Sequence, residues 1–233
     1  LGDVAAADRK LAAVRRLLAQ QGADRDLITV VTADHGEHFG EHRLMEHNFS
    51  LYVPLLHVPL VETARGGVAP AEIDAPVQSL DVLPSLLEWI GESVPEELPG
   101  RALPATAGDA PPPRRMQAQY TEPANVTVRD SEPDWVRAGR ESALQRRAPC
   151  GADDRVYGNI KSVIEYPFHY IDYERYPAQL FHLGDDPAEH NDVLARHPEV
   201  AQRLRAEVER MRRVQQGAQS PTAATISPEV AEH

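Results

Sequence analysis

The chain is poor in cysteine and lysine, with one cysteine and two lysines among 233 residues. Because Cys150 stands alone, neither an internal disulfide nor a cysteine-based metal cluster can form. Acidic residues outnumber basic ones by 36 to 24, and a net charge of −12 argues against nucleic acid or an anionic membrane as the main partner. No apolar run approaches the roughly 18 residues of a membrane span. We therefore expect a soluble protein with no membrane insertion. The sequence leaves the compartment undetermined, with the cytoplasm slightly favoured.

The length is sufficient for one large domain, or somewhat more, with a substantial apolar core. The chain begins at Leu1 rather than at a methionine, in a stretch with helical periodicity, so we expect it to be a fragment. The lack of a leader in a fragment carries no information about export. The composition predicts no particular oligomeric state.

The segment from Leu27 to Glu37 joins an apolar run to an Asp-His-Gly sequence. The run Leu27–Thr32 predicts a buried parallel strand, since strands covered on both faces are continuously apolar. Open α/β sheets bind ligands just beyond the carboxyl ends of such strands. Asp34 and His35 fall at this point, and a carboxylate beside an imidazole suits a divalent metal. The segment predicts half of a metal site; the alternative is a helix-capping aspartate beside a packed histidine.

Four histidines and four acidic residues crowd the fourteen positions from Asp34 to His47. A cation or hydrogen-bond donor at His47 could hold a substrate oxyanion or protonate a leaving group, and a surface histidine is the equal alternative. Glu37, Glu41 and His42 are predicted to order the loop or to support the ligands.

The other histidines and the cysteine are predicted to have structural roles or to lie at the surface. His38 and Glu46 are expected to be solvated, and His57 to be a packed, hydrogen-bonded residue of the sheet. Cys150 lies in a polar, weakly patterned region that offers nothing to activate a thiol. Metal-ligand spacing is lacking at the remaining histidines, which are His169, His182, His190 and His197.

Periodicity predicts the remaining elements. An amphipathic helix ends near Gly22. A second apolar-sided helix lies within Val77–Ile90 and ends at Gly91. Between them, a short strand interrupted by prolines is expected within Leu51–Val61. Alternating residues predict strands at Met116–Thr121, Val156–Tyr173 and Gln179–Leu183. Charged residues with helical periodicity predict a last helix at His197–Val214.

Taken as an ordered set, these motifs resemble those of the sulfatases, which belong to the alkaline phosphatase superfamily. The resemblance extends from residue 1 to about residue 214. The matching segments are Thr32–Glu37, Gly40–His42, His47–Tyr52, His57–Val61, Ser79–Leu87 with Gly91, Leu98–Leu103 and Leu180–Asp192.

The resemblance implies an α/β fold class: the last part of a mixed, mostly parallel sheet sandwiched by helices, plus a small C-terminal antiparallel sheet with a terminal helix. Residues 1–104 would be the C-terminal part of the sulfatase α/β domain, with the Asp-His metal segment. A proline-rich connection at 105–115 and a small α+β subdomain at 116–214 would follow. The last region, 215–233, would be a disordered tail.

The resemblance also implies roles for three residues. Asp34 and His35 would be ligands of a single divalent ion, usually calcium in the family, with Mg²⁺ or Mn²⁺ as alternatives. His47 occupies the position of a lysine or histidine that contacts the ester or sulfate oxygens. The implied reaction is hydrolysis of a small-molecule or glycan sulfate ester, in which a metal-held nucleophile attacks sulfur and cationic groups stabilise the equatorial oxygens.

The chain departs from the family pattern at the nucleophile. The family's nucleophile is a formylglycine made from Cys or Ser in a Cys/Ser-x-Pro/Ala-x-Arg segment that precedes the Asp-His segment. Cys150 instead follows that segment, Asp154 stands at the arginine position, and the paired aspartates of the family's first metal segment are missing. We therefore expect the formylglycine in a missing N-terminal half and no turnover by this chain alone.

Two other functions stay open. A phosphodiesterase or phosphonate hydrolase of the same superfamily would share the Asp-His segment and differ in its nucleophile. A catalytically inactive metal-binding module would use the acidic surface and the histidine-rich loop alone.

Overall fold

A computed structural model of the chain describes residues 2–23, 27–64, 72–103, 114–121 and 158–218. The region around Cys150, the tail 219–233 and most of the proline-rich connection lie outside these ranges. In chain order the helices and strands are α1 (Gly2–Gln20), β1 (Ile28–Thr32), β2 (His38–Phe39), β3 (Met45–Glu46), α2 (Val53–Leu56), β4 (Leu60–Ala64), α3 (Val82–Trp89), β5 (Met116–Tyr120), β6 (Ile160–Glu165), β7 (Phe168–Tyr173), β8 (Gln179–His182) and α4 (Pro198–Ala218).

The chain forms two compact units. Residues 1–36 and 57–113 make up the first, and residues 37–56 and 114–233 make up the second. The predicted boundary after residue 104 differs from this division in one respect, because the segment 37–56 belongs with the second unit. Its apolar residues pack against the C-terminal sheet, a long-range contact that no local pattern announces.

In the first unit, the predicted helix and strand are present, but the strand differs in its environment. Helix α1 ends near Gly22, whose φ of +69° favours glycine. Strand β1 pairs antiparallel with β4, with Val30 opposite Glu62. Its first four side chains are half-buried and Thr32 is exposed, whereas a buried parallel strand was expected over Leu27–Thr32. Within the described residues, β4 is the only strand that pairs with β1.

The stretch expected to be a strand broken by prolines is a helical turn followed by a strand. Pro54 occupies the first turn of α2, where its fixed φ suits a helix and its missing N–H is not needed. Pro59 cannot donate to a ladder, and β4 begins directly after it. His57 lies between these elements and is exposed, so the prediction that it is a packed sheet residue is wrong.

Helix α3 is anchored by two buried polar side chains. The Asp81 carboxylate accepts hydrogen bonds from the backbone N–H groups of Gln78 and Arg101, at 2.8 and 3.1 Å. The Ser85 hydroxyl donates to the Asp81 carbonyl and accepts from the N–H of Leu103. These bonds hold the segment that contains Gly100 against the start of the helix, which ends at the predicted glycine, Gly91 (φ +82°).

The second unit contains the predicted antiparallel sheet, in the order β5-β6-β7-β8. One face of the sheet packs against the segment 37–56, and the other packs against α4. Burial on both faces explains why β6 and β7 are buried almost throughout, with successive side chains contributing to opposite cores. The first core contains Leu44, Phe49, Leu51, Tyr52, Ile160, Ile171, Tyr173 and Phe181, and the second contains Val163, Tyr170, Leu180, Val193, Val200, Ala201, Leu204 and Val208.

Helix α4 confirms the predicted terminal helix and extends it. It begins at Pro198, and Leu204 and Val208 on its apolar side are fully buried against the sheet. It continues to Ala218, four residues past the predicted end at Val214, so residues 215–218 are helical rather than part of a disordered tail. Burial of each such aliphatic side chain contributes about 1.5–3 kcal/mol, which is why this amphipathic helix is stable despite its many charges.

Candidate functional site

Asp34 and His35 lie immediately beyond the end of β1, as the apolar run predicted. The backbone N–H of His35 donates to Asp34 Oδ1 at 3.1 Å, which fixes the carboxylate beside the ring. The other carboxylate oxygen, Oδ2, lies 3.7 Å from His35 Nε2. The side chains are 89% and 45% exposed, so neither is sealed beneath the sheet.

A backbone carbonyl selects the tautomer of the His35 ring. Nδ1 lies 2.9 Å from the carbonyl oxygen of Gly36, and only a protonated nitrogen can donate there. In the neutral ring the lone pair is therefore on Nε2, the nitrogen that faces the carboxylate. Metal-binding histidines are commonly oriented in this way by a carbonyl on the opposite nitrogen.

The donor atoms of this pair suit a divalent ion in type and spacing. A separation of 3.7 Å is less than twice a usual metal–ligand bond of about 2.0–2.4 Å, so one ion can reach both atoms. The pair supplies only part of a coordination shell, since zinc takes about four ligands and calcium about six to eight. Among the described residues, no group of three or more His, Cys, Asp and Glu side chains is placed to hold a metal ion.

His47 belongs to the second unit and is paired with Glu37. Its Nδ1 lies 3.3 Å from Glu37 Oε2, and the two side chains are 46% and 38% exposed. A carboxylate at Nδ1 orients the ring. Glu37 therefore contacts the predicted functional histidine. Asp34 and His35 belong to the first unit.

His38 is buried, so the prediction that it is solvated is wrong. Its side chain is fully inaccessible, and its Nε2 lies 2.7 Å from the hydroxyl of Ser50, which is also buried. Burial lowers the pKa of His38 below the usual 6.5, because the charged ring would lose its hydration. Burial alternates along β2, with His38 buried and Phe39 exposed, but a two-residue strand is too short to recognise from sequence.

Glu41 and His42 order the loop, in agreement with the prediction. The Glu41 carboxylate accepts the backbone N–H of Phe39 at 2.6 Å, and this hydrogen bond is the main cause that lowers the pKa of Glu41. The His42 ring stacks on Tyr52, with ring centroids 3.7 Å apart and an interplanar angle of 8°. Glu46 is exposed, as predicted.

The loop stores backbone strain. Four of its non-glycine residues have positive φ values of 52° to 68°. Such conformations persist only where the surrounding structure imposes them, and they concentrate at functional segments. The four residues are His42, Arg43, Glu46 and Phe49.

Sequence reasoning missed a buried pair that holds this loop. Glu189 is 1% exposed; its Oε1 lies 2.5 Å from His169 Nδ1, and its Oε2 accepts the N–H of Val53 at 2.7 Å. His169 had been assigned only a general structural or surface role. The available signal was the Asp-Pro-x-Glu turn at 186–189, whose glutamate could have been predicted to accept hydrogen bonds from neighbouring segments.

The Asp-His segment lies within a match to a known protein family. The sulfatase family model matches residues 1–92. Arylsulfatase K of Bos taurus is 28% identical over 197 residues, which cover 84% of this chain and 33% of that protein. The chain therefore resembles the sulfatases, over residues 1–92 by the family model and over 197 residues in this relative.

Solved structures share the fold of this chain. A 2-O GAG sulfatase matches 87% of this chain and 40% of its own chain, with a TM-score of 0.65 and 19% identity. A phosphonate monoester hydrolase from Silicibacter pomeroyi matches 88% of this chain and 38% of its own, with a TM-score of 0.62 and 25% identity. This chain therefore spans about a third of the length of its curated sulfatase relative.

None of the helices in the described ranges combines the length and apolarity that a membrane span needs.

Proposed function

We propose that this chain contributes Asp34, His35 and His47 to the metal-assisted hydrolysis of sulfate esters. The observation that carries the proposal is the convergence of Asp34 Oδ2 and His35 Nε2 to 3.7 Å at the end of β1, in a chain with a sulfatase family match. The proposed substrate class is a small-molecule or glycan sulfate ester, supported by relatives named an arylsulfatase and a 2-O GAG sulfatase.

Asp34 and His35 would hold one divalent ion, for which calcium is the first candidate and Mg²⁺ or Mn²⁺ are alternatives. When bound, the ion supplies positive charge beside the sulfate oxygens. The residues contribute a preset geometry: the His35 N–H holds the carboxylate, and the Gly36 carbonyl holds the ring. Ligands ordered before binding lose little conformational entropy when the ion arrives.

His47 would donate a hydrogen bond to an oxygen of the ester group. Glu37 Oε2 lies 3.3 Å from its Nδ1 and orients the ring. A ring N–H can stabilise the negative charge that develops on a sulfate oxygen, or pass its proton to the leaving oxygen as the S–O bond breaks.

Hydrolysis of a phosphonate or phosphodiester is the second candidate. The likeness to a phosphonate monoester hydrolase at 25% identity favours it. Both activities would use the same three residues. A preference of the calcium-loaded chain for phenylphosphonate over 4-nitrophenyl sulfate would favour this candidate.

Calorimetric titration with calcium, followed by inorganic sulfate, tests the proposal. Asp34→Ala should abolish calcium binding, whereas Asp3→Ala, a change of an exposed acid on α1, should not. His47→Ala should keep calcium binding and weaken sulfate binding about tenfold or more, the usual loss for a charged hydrogen bond. His57→Ala, a change of another exposed histidine, is the matched control.

Two results would count against the proposal. Calcium affinity that survives Asp34→Ala would exclude the ligand pair. Calcium binding without any sulfate or phosphonate binding would instead favour an inactive metal-binding module.

A further inference from the structure

The chain is held on both sides of His47 by one residue, His38. On the N-terminal side of His47, the backbone of His38 lies opposite Glu46 in the antiparallel β2–β3 pair. On the C-terminal side, the His38 ring bonds Ser50, with 2.7 Å between Nε2 and the hydroxyl oxygen. The short segment that carries His47 is therefore tied to β2 at both of its ends.

The same strand register places Glu37 opposite His47. In an antiparallel pair, the residues one step beyond His38 and Glu46 are the next to oppose each other. These residues are Glu37 and His47, and their side chains meet, with 3.3 Å between Glu37 Oε2 and His47 Nδ1. A displacement of His38 would therefore change both the backbone position of His47 and the carboxylate that orients its ring.

Backbone strain flanks His47 and requires these anchors. Glu46 has a φ of +65° and Phe49 a φ of +68°, values that non-glycine residues keep only where the surrounding structure imposes them. The Phe49 side chain is 3% exposed within the first core, and the next residue, Ser50, is bonded to His38. Without that bond the strained segment could relax, and His47 would move with it.

A histidine at the buried position of β2 has a cost that its hydrogen bond must offset. The His38 ring is fully buried and Ser50 is 2% exposed. An apolar side chain of similar volume would fill the same space without losing hydration. The Tyr52 ring meets the His38 ring edge-on, with centroids 6.4 Å apart and 80° between the planes. A buried polar pair specifies one geometry, which an apolar contact alone does not.

We propose that His38 is a positioning residue for His47, acting through its bond to Ser50 and its pairing with Glu46. The inference rests on the proposed function, in which His47 contacts an oxygen of the ester. His38 is fully buried and does not itself touch the substrate. Loss of its bond to Ser50 should weaken sulfate binding and leave calcium binding unchanged, because the proposed calcium ligands belong to the other unit.

The ring signals of His47 in carbon–proton NMR spectra of the full chain test the inference without any ligand. These signals are identified by their loss in His47→Ala. Glu37→Ala removes the carboxylate beside the ring and gives the reference for a ring that is no longer oriented. Ser50→Ala and His38→Leu remove the buried hydrogen bond and should move the His47 signals toward this reference. His38→Gln can still bond Ser50 through its amide and should keep them near their wild-type positions.

Calorimetric titration with inorganic sulfate in the presence of calcium measures the consequence for binding. Ser50→Ala should weaken sulfate binding about three- to tenfold, the loss expected for one neutral hydrogen bond, with the calcium affinity of the wild type. His38→Leu should weaken it similarly, and His38→Gln should retain most of the affinity.

Val208→Ala is the control for a mere loss of stability. Val208 is fully buried in the second core, on the other face of the sheet, so its truncation leaves a cavity and destabilises the same unit. This variant should change neither the His47 signals nor the affinity for sulfate.

The inference is overturned if Ser50→Ala and His38→Leu leave the His47 signals at their wild-type positions, or if Val208→Ala moves them as far. Failure of the proposed function is a different result. In that case the wild-type chain would bind no sulfate in the presence of calcium, while the ring signals of the ligand-free chain would still decide whether His38 positions His47.

Discussion

Replacing Glu189 by alanine should destabilise the second unit strongly. The carboxylate is 1% exposed and bonds both His169 Nδ1 and the N–H of Val53, at 2.5 and 2.7 Å. Its removal strands two polar groups, and breaking a buried pair of this kind costs about 3–5 kcal/mol. That is a large fraction of the roughly 5–15 kcal/mol by which domains are stable. Glu189→Gln retains an acceptor for Val53 and should lose less, about 1–2 kcal/mol.

Urea unfolding followed by near-ultraviolet circular dichroism of tyrosine measures this effect. All seven tyrosines lie in the second unit, so the signal reports that unit. With a denaturant slope of about 2 kcal/mol per molar, Glu189→Ala should lower the midpoint by about 1.5–2.5 M. Glu199→Ala, an exposed change on α4, should shift it by less than about 0.3 M. Equal midpoints for Glu189→Ala and the wild type would refute this stabilising role of Glu189.

Two further predictions concern the fold. Gly100→Ala should destabilise the first unit by more than about 2 kcal/mol, because the added Cβ would lie 1.8 Å from the Leu80 carbonyl oxygen. In the control Gly2→Ala the added Cβ meets nothing within 4 Å, so this change should be neutral. Thermal unfolding followed by tryptophan fluorescence measures both, and equal losses of stability in the two variants would contradict the prediction. The lowered pKa of His38 means that the unfolded chain binds the extra proton, so stability should fall below pH 6.5 by up to about 1.4 kcal/mol per unit. His38→Gln should reduce the fall of the urea midpoint between pH 7.5 and 5.5, whereas the exposed control His57→Gln should leave it as in the wild type. An unchanged pH dependence in His38→Gln would show that His38 does not cause the loss of stability.

Local periodicity predicted most of the regular elements. The 3.6-residue spacing of apolar residues located α1, α3 and α4, and alternation located β5 to β8. Helix ends at Gly22 and Gly91 followed from the preference of glycine for positive φ. The positions of Asp34 and His35 also followed from a local pattern, an apolar run that ends at polar residues, and their convergence needs only neighbouring atoms.

Features that depend on distant contacts were not predictable. His38 is buried because Ser50, twelve residues further on, and the aromatic core beneath the loop cover it. Glu189 meets Val53 across 136 residues, which no window along the chain can reveal. Pro54 in an apolar run predicts an interrupted strand, whereas the fixed φ of proline suits the first turn of a helix equally well.

Binding of a paramagnetic ion tests most directly whether Asp34 and His35 act together as metal ligands. Mn²⁺ added stepwise to the ¹⁵N-labelled chain should broaden the amide signals of Asp34, His35 and Gly36 before others. Asp34→Ala should remove this selective broadening, and excess calcium should compete it away. Broadening that begins elsewhere, or that persists at His35 and Gly36 in Asp34→Ala, would contradict the account.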